Sequence, residues 1–217
     1  MTTRRRIICF ILSSLLSSCA LFAPKPPERT VRVKALADVS FRARNPHWPE
    51  EVRGLIEAAS DYYEREFGIR FVTHSADAWP AQERIRSTPE LLARAEEDFP
   101  IQKKDETYDL IVVFTAEGVS PYFTAGRARV DRIGNCRQGL GNYVIAPVNE
   151  SFHYMGPYAD PTLDVIALIH ELAHIFGAEH VDDRASIMHE DLGYRTEFDD
   201  KNRSIVQKNK LCPFAKG

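Results

Sequence analysis

The chain has 217 residues, with 28 lysines and arginines against 31 aspartates and glutamates, a formal net charge of −3. This mild acidity, with no basic cluster interleaved with aromatics, argues against nucleic acid as a partner. The length suits one substantial core, and neither an internal repeat nor a break in composition suggests a second domain.

Arg4, Arg5 and Arg6 make the start of the chain positive, and residues 7–16 are apolar. A bilayer span needs about 20 such residues, so this shorter stretch reads as the core of an export signal. It ends in Leu16-Ser17-Ser18-Cys19, which resembles the lipobox of bacterial lipoproteins. The resemblance implies removal of residues 1–18 and acylation of Cys19 on its sulfur and new amino terminus. Two or more acyl chains hold a protein on a membrane stably, where one holds it marginally. A plain secretory signal with a coincidental cysteine is the other reading. Ala20, rather than aspartate, points to an outer membrane if the host has one. Residues 19–30, with three prolines between Ala23 and Glu28, then form a tether. The expected product is therefore exported and lipid-anchored to a bacterial membrane. Without the signal its balance is 25 basic against 31 acidic residues, net −6.

From residue 31 the pattern is that of a folded domain. Residues 31–41 alternate partly and predict a first strand. Residues 49–67 carry Val52, Leu55, Ile56, Ala59, Tyr63 and Phe67 at helical spacing, and Gly68 ends that helix. Residues 69–73 predict a second strand. Thr88-Pro89-Glu90 opens a helix to about residue 97, because proline suits a first helical turn. Residues 108–115 (YDLIVVFT) are apolar enough for a central strand. An edge strand is expected at 126–131, another strand at 142–147, a helix at 162–176 and a last helix from Asp199 or Asp200 to about residue 211. Cys136 and Cys212 are an even pair in an oxidising compartment, so a disulfide is expected, with two free buried thiols as the alternative.

The chemistry concentrates in His170-Glu171-Leu172-Ala173-His174-Ile175-Phe176-Gly177-Ala178-Glu179-His180. His170 and His174 are four apart, hence one turn apart on one helix face, which suits two corners of a tetrahedral metal site. Gly177 can take the positive φ that ends the helix and lets His180 return as third ligand. Three protein ligands leave a fourth position for water, the pattern of a catalytic zinc. Glu171 sits where its carboxylate reaches that water rather than the metal. One Zn2+ is the expected cofactor.

Ser186-Ile187-Met188-His189 follows, with Met188 eight positions after His180. The histidine stretch followed by a methionine turn resembles the metzincin metallopeptidases. The short gap to Met188 is similar to matrixins, whereas Gly126-Arg127-Ala128-Arg129-Val130 followed by Cys136 is more similar to reprolysins, so the subfamily stays open. The resemblance implies an α+β catalytic domain over 31–217: a twisted, mostly parallel sheet with an antiparallel edge strand, a zinc helix and a C-terminal helix. It also implies Met188 as a hydrophobic floor under the metal, and Gly126 to Val130 as the edge that holds a peptide by backbone bonds. Glu190 stands where astacins carry a tyrosine, so a phenolic ligand is absent. Residues 190–197 would line the specificity pocket, with Arg195 by default an exposed loop residue. His189 reads as a turn residue, Asp182 and Asp183 as turn or capping residues, and His47, His74 and His153 as structural or solvated. The expected activity is endopeptidase hydrolysis of a peptide or protein substrate by a monomer. A surface-anchored adhesion protein with this fold and a narrow processing enzyme or exopeptidase are the alternatives.

Overall fold

A computed structural model describes residues 26–80, 87–101, 107–116, 129–191 and 193–215. The export signal, Cys19 and most of the tether lie outside the described residues, as do Gly126, Arg127 and Ala128 of the expected edge strand.

Four strands, β1 (Arg29–Ala37), β2 (Ile69–Ala78), β3 (Leu110–Thr115) and β4 (Tyr143–Pro147), form one sheet in the order β2-β1-β3-β4. Every pairing between them is parallel, which requires crossover connections. The described helices are α1 (Val39–Arg44) and α2 (Trp48–Phe67) between β1 and β2, α3 (Thr88–Asp98) between β2 and β3, and α4 (Leu163–Ile175) and α5 (Asp200–Asn209) after β4.

Period-two alternation divides the sheet between two cores. Val31, Val33, Ala35, Leu110, Val112, Phe114, Val144 and Ala146 join the larger core, to which α2 and α4 contribute. Leu36, Ile111, Val113, Tyr143 and Ile145 face the smaller one, with Trp79, Leu91, Leu92 and Ala95. All six residues of β3 are buried because both of its faces are covered. The mostly parallel sheet expected from the sequence is therefore present. Its antiparallel component among the described residues is the bridge between Val130 and Val144.

The helix boundaries follow local chemistry. Gly68, at φ 69°, caps α2, and its N–H reaches the Tyr63 and Glu64 carbonyls. Thr162 caps α4 by accepting from Val165 N, and Asp199 caps α5 by accepting from Asn202 N.

Three expectations shift. The first strand begins at Arg29, inside the expected tether, because Glu28 and Arg29 N–H groups bond to the Gly68 carbonyl at 2.8 and 3.1 Å. It stops at Ala37 rather than residue 41, because Asp38 accepts from Phe41 N and starts the short α1. The second strand continues to Ala78 despite a polar second half: it is an edge strand, paired with β1 through a register shift at Val33 and Lys34. Among the described residues no helix is long and apolar enough to cross a membrane.

Two tyrosines of α2 fix what surrounds the site. Tyr63, fully buried, donates to the Ile169 carbonyl in α4 at 2.8 Å, and Tyr62 donates to the Thr196 carbonyl at 2.6 Å. Burial pushes both phenols well above their usual pKa, so both remain hydrogen-bond donors.

Candidate metal centre

Residues 164–175 of α4 are all buried, and Leu168, Leu172, Ile175 and Phe176 pack into the larger core as their spacing predicts. His170 and His174 stand one turn apart, with ring centroids 4.8 Å from each other. His170 Nδ1 lies 2.7 Å from the Ile187 carbonyl, and His174 Nδ1 lies 2.7 Å from the Ala178 carbonyl. A carbonyl only accepts, so each Nδ1 carries the proton and each neutral ring turns an Nε2 lone pair inward. Burial is the main cause that lowers both rings to a pKa of about 4, so both are neutral at pH 7.

After α4 the chain reverses at Gly177, whose φ is 100°. A Cβ there would meet the Gly134 carbonyl oxygen at 2.4 Å, so glycine is required for its conformation and for its size. The reversal brings His180 Nε2 to 3.1 Å from His170 Nε2 and 3.3 Å from His174 Nε2; the first two are 3.1 Å apart. Among the described residues this trio is the cluster of side chains that could hold a metal ion. His170 and His174 are buried, while His180 is exposed at the mouth.

Polar bonds from α5 hold the returning segment. Asn202, fully buried, accepts from Glu179 N and donates to the Glu179 carbonyl, both at 2.9 Å. Asn209 donates to the Phe176 carbonyl at 2.8 Å. Met188 is fully buried in the larger core, and its N–H donates to Ser186 Oγ, which in turn donates to Asp199 at 2.7 Å. The methionine turn therefore touches the metal centre through its neighbour, the Ile187 carbonyl that orients His170.

The C-terminus of α4 is covered by residues 134–141, with Gly134 N–H donating to the His174 carbonyl at 2.9 Å and Gly141 N–H to the Ile175 carbonyl at 3.3 Å. These bonds satisfy carbonyls a helix end leaves unpaired. Cys136 and Cys212 stand at disulfide distance, with Cα atoms 5.0 Å apart, tying this cover to the chain beyond α5.

Glu171, adjacent to the trio, is 7 % exposed, and burial raises its pKa. Arg129 opposes that shift, its Nη1 lying 3.3 Å from Glu171 Oε1. Of the expected edge strand, Arg129 and Val130 are described, and they do lie antiparallel to β4: Ile145 N–H donates to the Arg129 carbonyl at 2.7 Å.

The residues read as turn or loop residues lie outside the trio, although His189 and Asp182 line a pocket with His180. His189 Nδ1 accepts from Asp191 N, and Asp183 accepts from Ala185 N, both turn roles. Asp182, Glu190 and Asp191 line an open pocket of ≈ 190 Å³ with His180. Arg195 turns back onto the Asp191 carbonyl. Sequence reading missed the Arg129 side chain at Glu171 and the two asparagines of α5. No periodicity marks either, because their partners are 42, 23 and 33 residues away.

Three inward-facing imidazoles beside a buried carboxylate are the donor set that a metal-dependent hydrolase needs. The family model of Metallo-peptidase family M12, of reprolysin type, matches residues 27–216, and the chain belongs to that family. It is a metallopeptidase, and of the two metzincin arrangements the sequence left open, the family is the reprolysin one. Among curated proteins, none matches the chain.

Proposed function

We propose that the protein is a zinc-dependent endopeptidase, exported and anchored to a bacterial membrane through a lipidated Cys19. The observation that carries the enzymatic reading is the spacing of the three Nε2 atoms, 3.1 to 3.3 Å. Zinc–nitrogen bonds of about 2.0–2.1 Å at tetrahedral angles put ligand nitrogens roughly 3.3 Å apart, so the trio fits zinc without rearrangement. When bound, zinc lowers the pKa of a coordinated water to about 7 and polarises the scissile carbonyl.

The chain's own residues do the rest. His170, His174 and His180 supply neutral nitrogens, and the Ile187 and Ala178 carbonyls keep the first two in the correct tautomer. Glu171 accepts a proton from the attacking water and returns it to the departing amine. The edge at Arg129 and Val130 holds the substrate backbone, which binds peptides largely irrespective of sequence.

The enzymatic reading is tested on purified full chain. It predicts about one zinc per chain and casein cleavage that chelation abolishes and zinc restores; cleavage that survives complete removal of zinc sinks it. The anchor is tested separately by metabolic labelling with an alkynyl fatty acid. Label should enter the wild type and be absent from Cys19→Ser, and equal labelling of both rules the anchor out.

A further inference from the structure

We propose that Arg129 is a positioning residue for Glu171, fixing the carboxylate the reaction uses; this rests on the peptidase reading above. The backbone of Arg129 is held from two sides. Its carbonyl accepts from Ile145 N at 2.7 Å, and two residues on, Asp131 N donates to the Tyr143 carbonyl at 3.3 Å. The Asp131 carboxylate adds bonds from Asn142 N and Tyr143 N at 2.8 and 3.0 Å, and Val130 between them is 4 % exposed in the larger core. The Arg129 side chain therefore starts from a fixed point on the sheet edge.

It ends on Glu171. Nη1 lies 3.3 Å from Oε1, with the two side chains only 13 % and 9 % exposed. A glutamate has three rotatable bonds, and in this low-dielectric setting a charged partner on one oxygen decides where the other points. Oε2 has no hydrogen-bond partner among the described residues and is left for the reaction. A base must lie within hydrogen-bond reach of the proton it takes, and a misplacement of about 1 Å costs on the order of 100-fold. The motif on α4 specifies which residue is the base, and the pair with Arg129 specifies where its oxygens sit. Because Arg129 belongs to the edge expected to hold the substrate, peptide and base are aligned on one piece of backbone.

The test uses full-chain protein in four forms, R129M, R129K, E171Q and R129M/E171Q, with a fluorogenic peptide and with zinc measured in each. R129M should lose about 100-fold in kcat while KM changes by less than about threefold. Zinc content should stay at the wild-type level. R129K, which keeps the charge, should recover at least about tenfold of the loss. In the E171Q background R129M should add less than about twofold, since a residue acting through Glu171 has nothing left to act on. Four results overturn the proposal: an unchanged kcat in R129M, a rise confined to KM, zinc loss parallel to activity loss, or an undiminished effect of R129M in the E171Q background. The last would mean that Arg129 acts on the substrate itself. Full activity of E171Q on its own strikes the peptidase reading instead, and is distinguishable from all four.

Discussion

His170 and His174 share one helix, whereas His180 reaches them only through a chain reversal. The first two project from α4, buried, each ring turned by one backbone carbonyl. The third is exposed and stands at the end of a reversal that depends on Gly177, on Asn202 and Asn209 of α5, and on the glycines covering the end of α4. Two of the proposed ligands thus come with the helix, and the third comes with the tertiary fold. Damage far from the metal in sequence should reach it through His180.

The largest expected effect separates the two kinds of ligand directly. His170→Ala and His174→Ala should lose stoichiometric zinc, and His180→Ala should keep a weaker site, as measured by chelator competition. Equal, complete loss in all three would erase the distinction.

Next comes the support of the third ligand. Asn202→Leu leaves the Glu179 N–H and carbonyl without their partner, at about 1–3 kcal/mol of stability, and should weaken zinc binding by about 10- to 100-fold. Asn209→Leu should cost similar stability but less affinity, because it frees the Phe176 carbonyl, farther from His180. If both variants bind zinc like the wild type, α5 has no part in the site. Gly177→Ala combines a positive φ with a 2.4 Å approach to Gly134 O. We expect a loss of at least about 2 kcal/mol in denaturation, given about 1–3 for the backbone conformation alone; unchanged stability would show that the reversal tolerates a side chain.

A separate effect concerns pH in the metal-free protein. The folded chain holds His170 and His174 at pKa about 4, against 6.5 for an unperturbed histidine. Between those values the unfolded chain binds more protons, so acid favours unfolding. Their contribution is intact above pH 6.5 and declines as pH falls towards 4. Denaturation midpoints of wild type and His170→Gln across that window should show a shallower acid decline in the variant.

The same contrast explains what could be read in advance. Helical spacing marked α2 and both histidines of α4, and the run at Leu110–Thr115 marked a strand covered on both faces. The glycine at 177 announced a reversal, though not that the Gly134 carbonyl lies against it. By contrast α1 was invisible, because an apolar pattern running on from β1 hid the cap at Asp38. The polar half of β2 pairs only because β1 lies beside it. Arg129 showed in the sequence as a stretch of edge backbone, and its side chain gained meaning when the sheet brought it to Glu171. What depends on local period was legible; what depends on two distant segments meeting was not.

The histidine trio and Glu171 are proposed to form one hydrolytic centre. This is tested most directly by measuring bound zinc and peptide cleavage together in the wild type and in Glu171→Gln. About one zinc per chain is expected in both, with a fall in kcat of at least about 100-fold in the variant. Equal cleavage by the two, with zinc bound in each, would contradict that proposal.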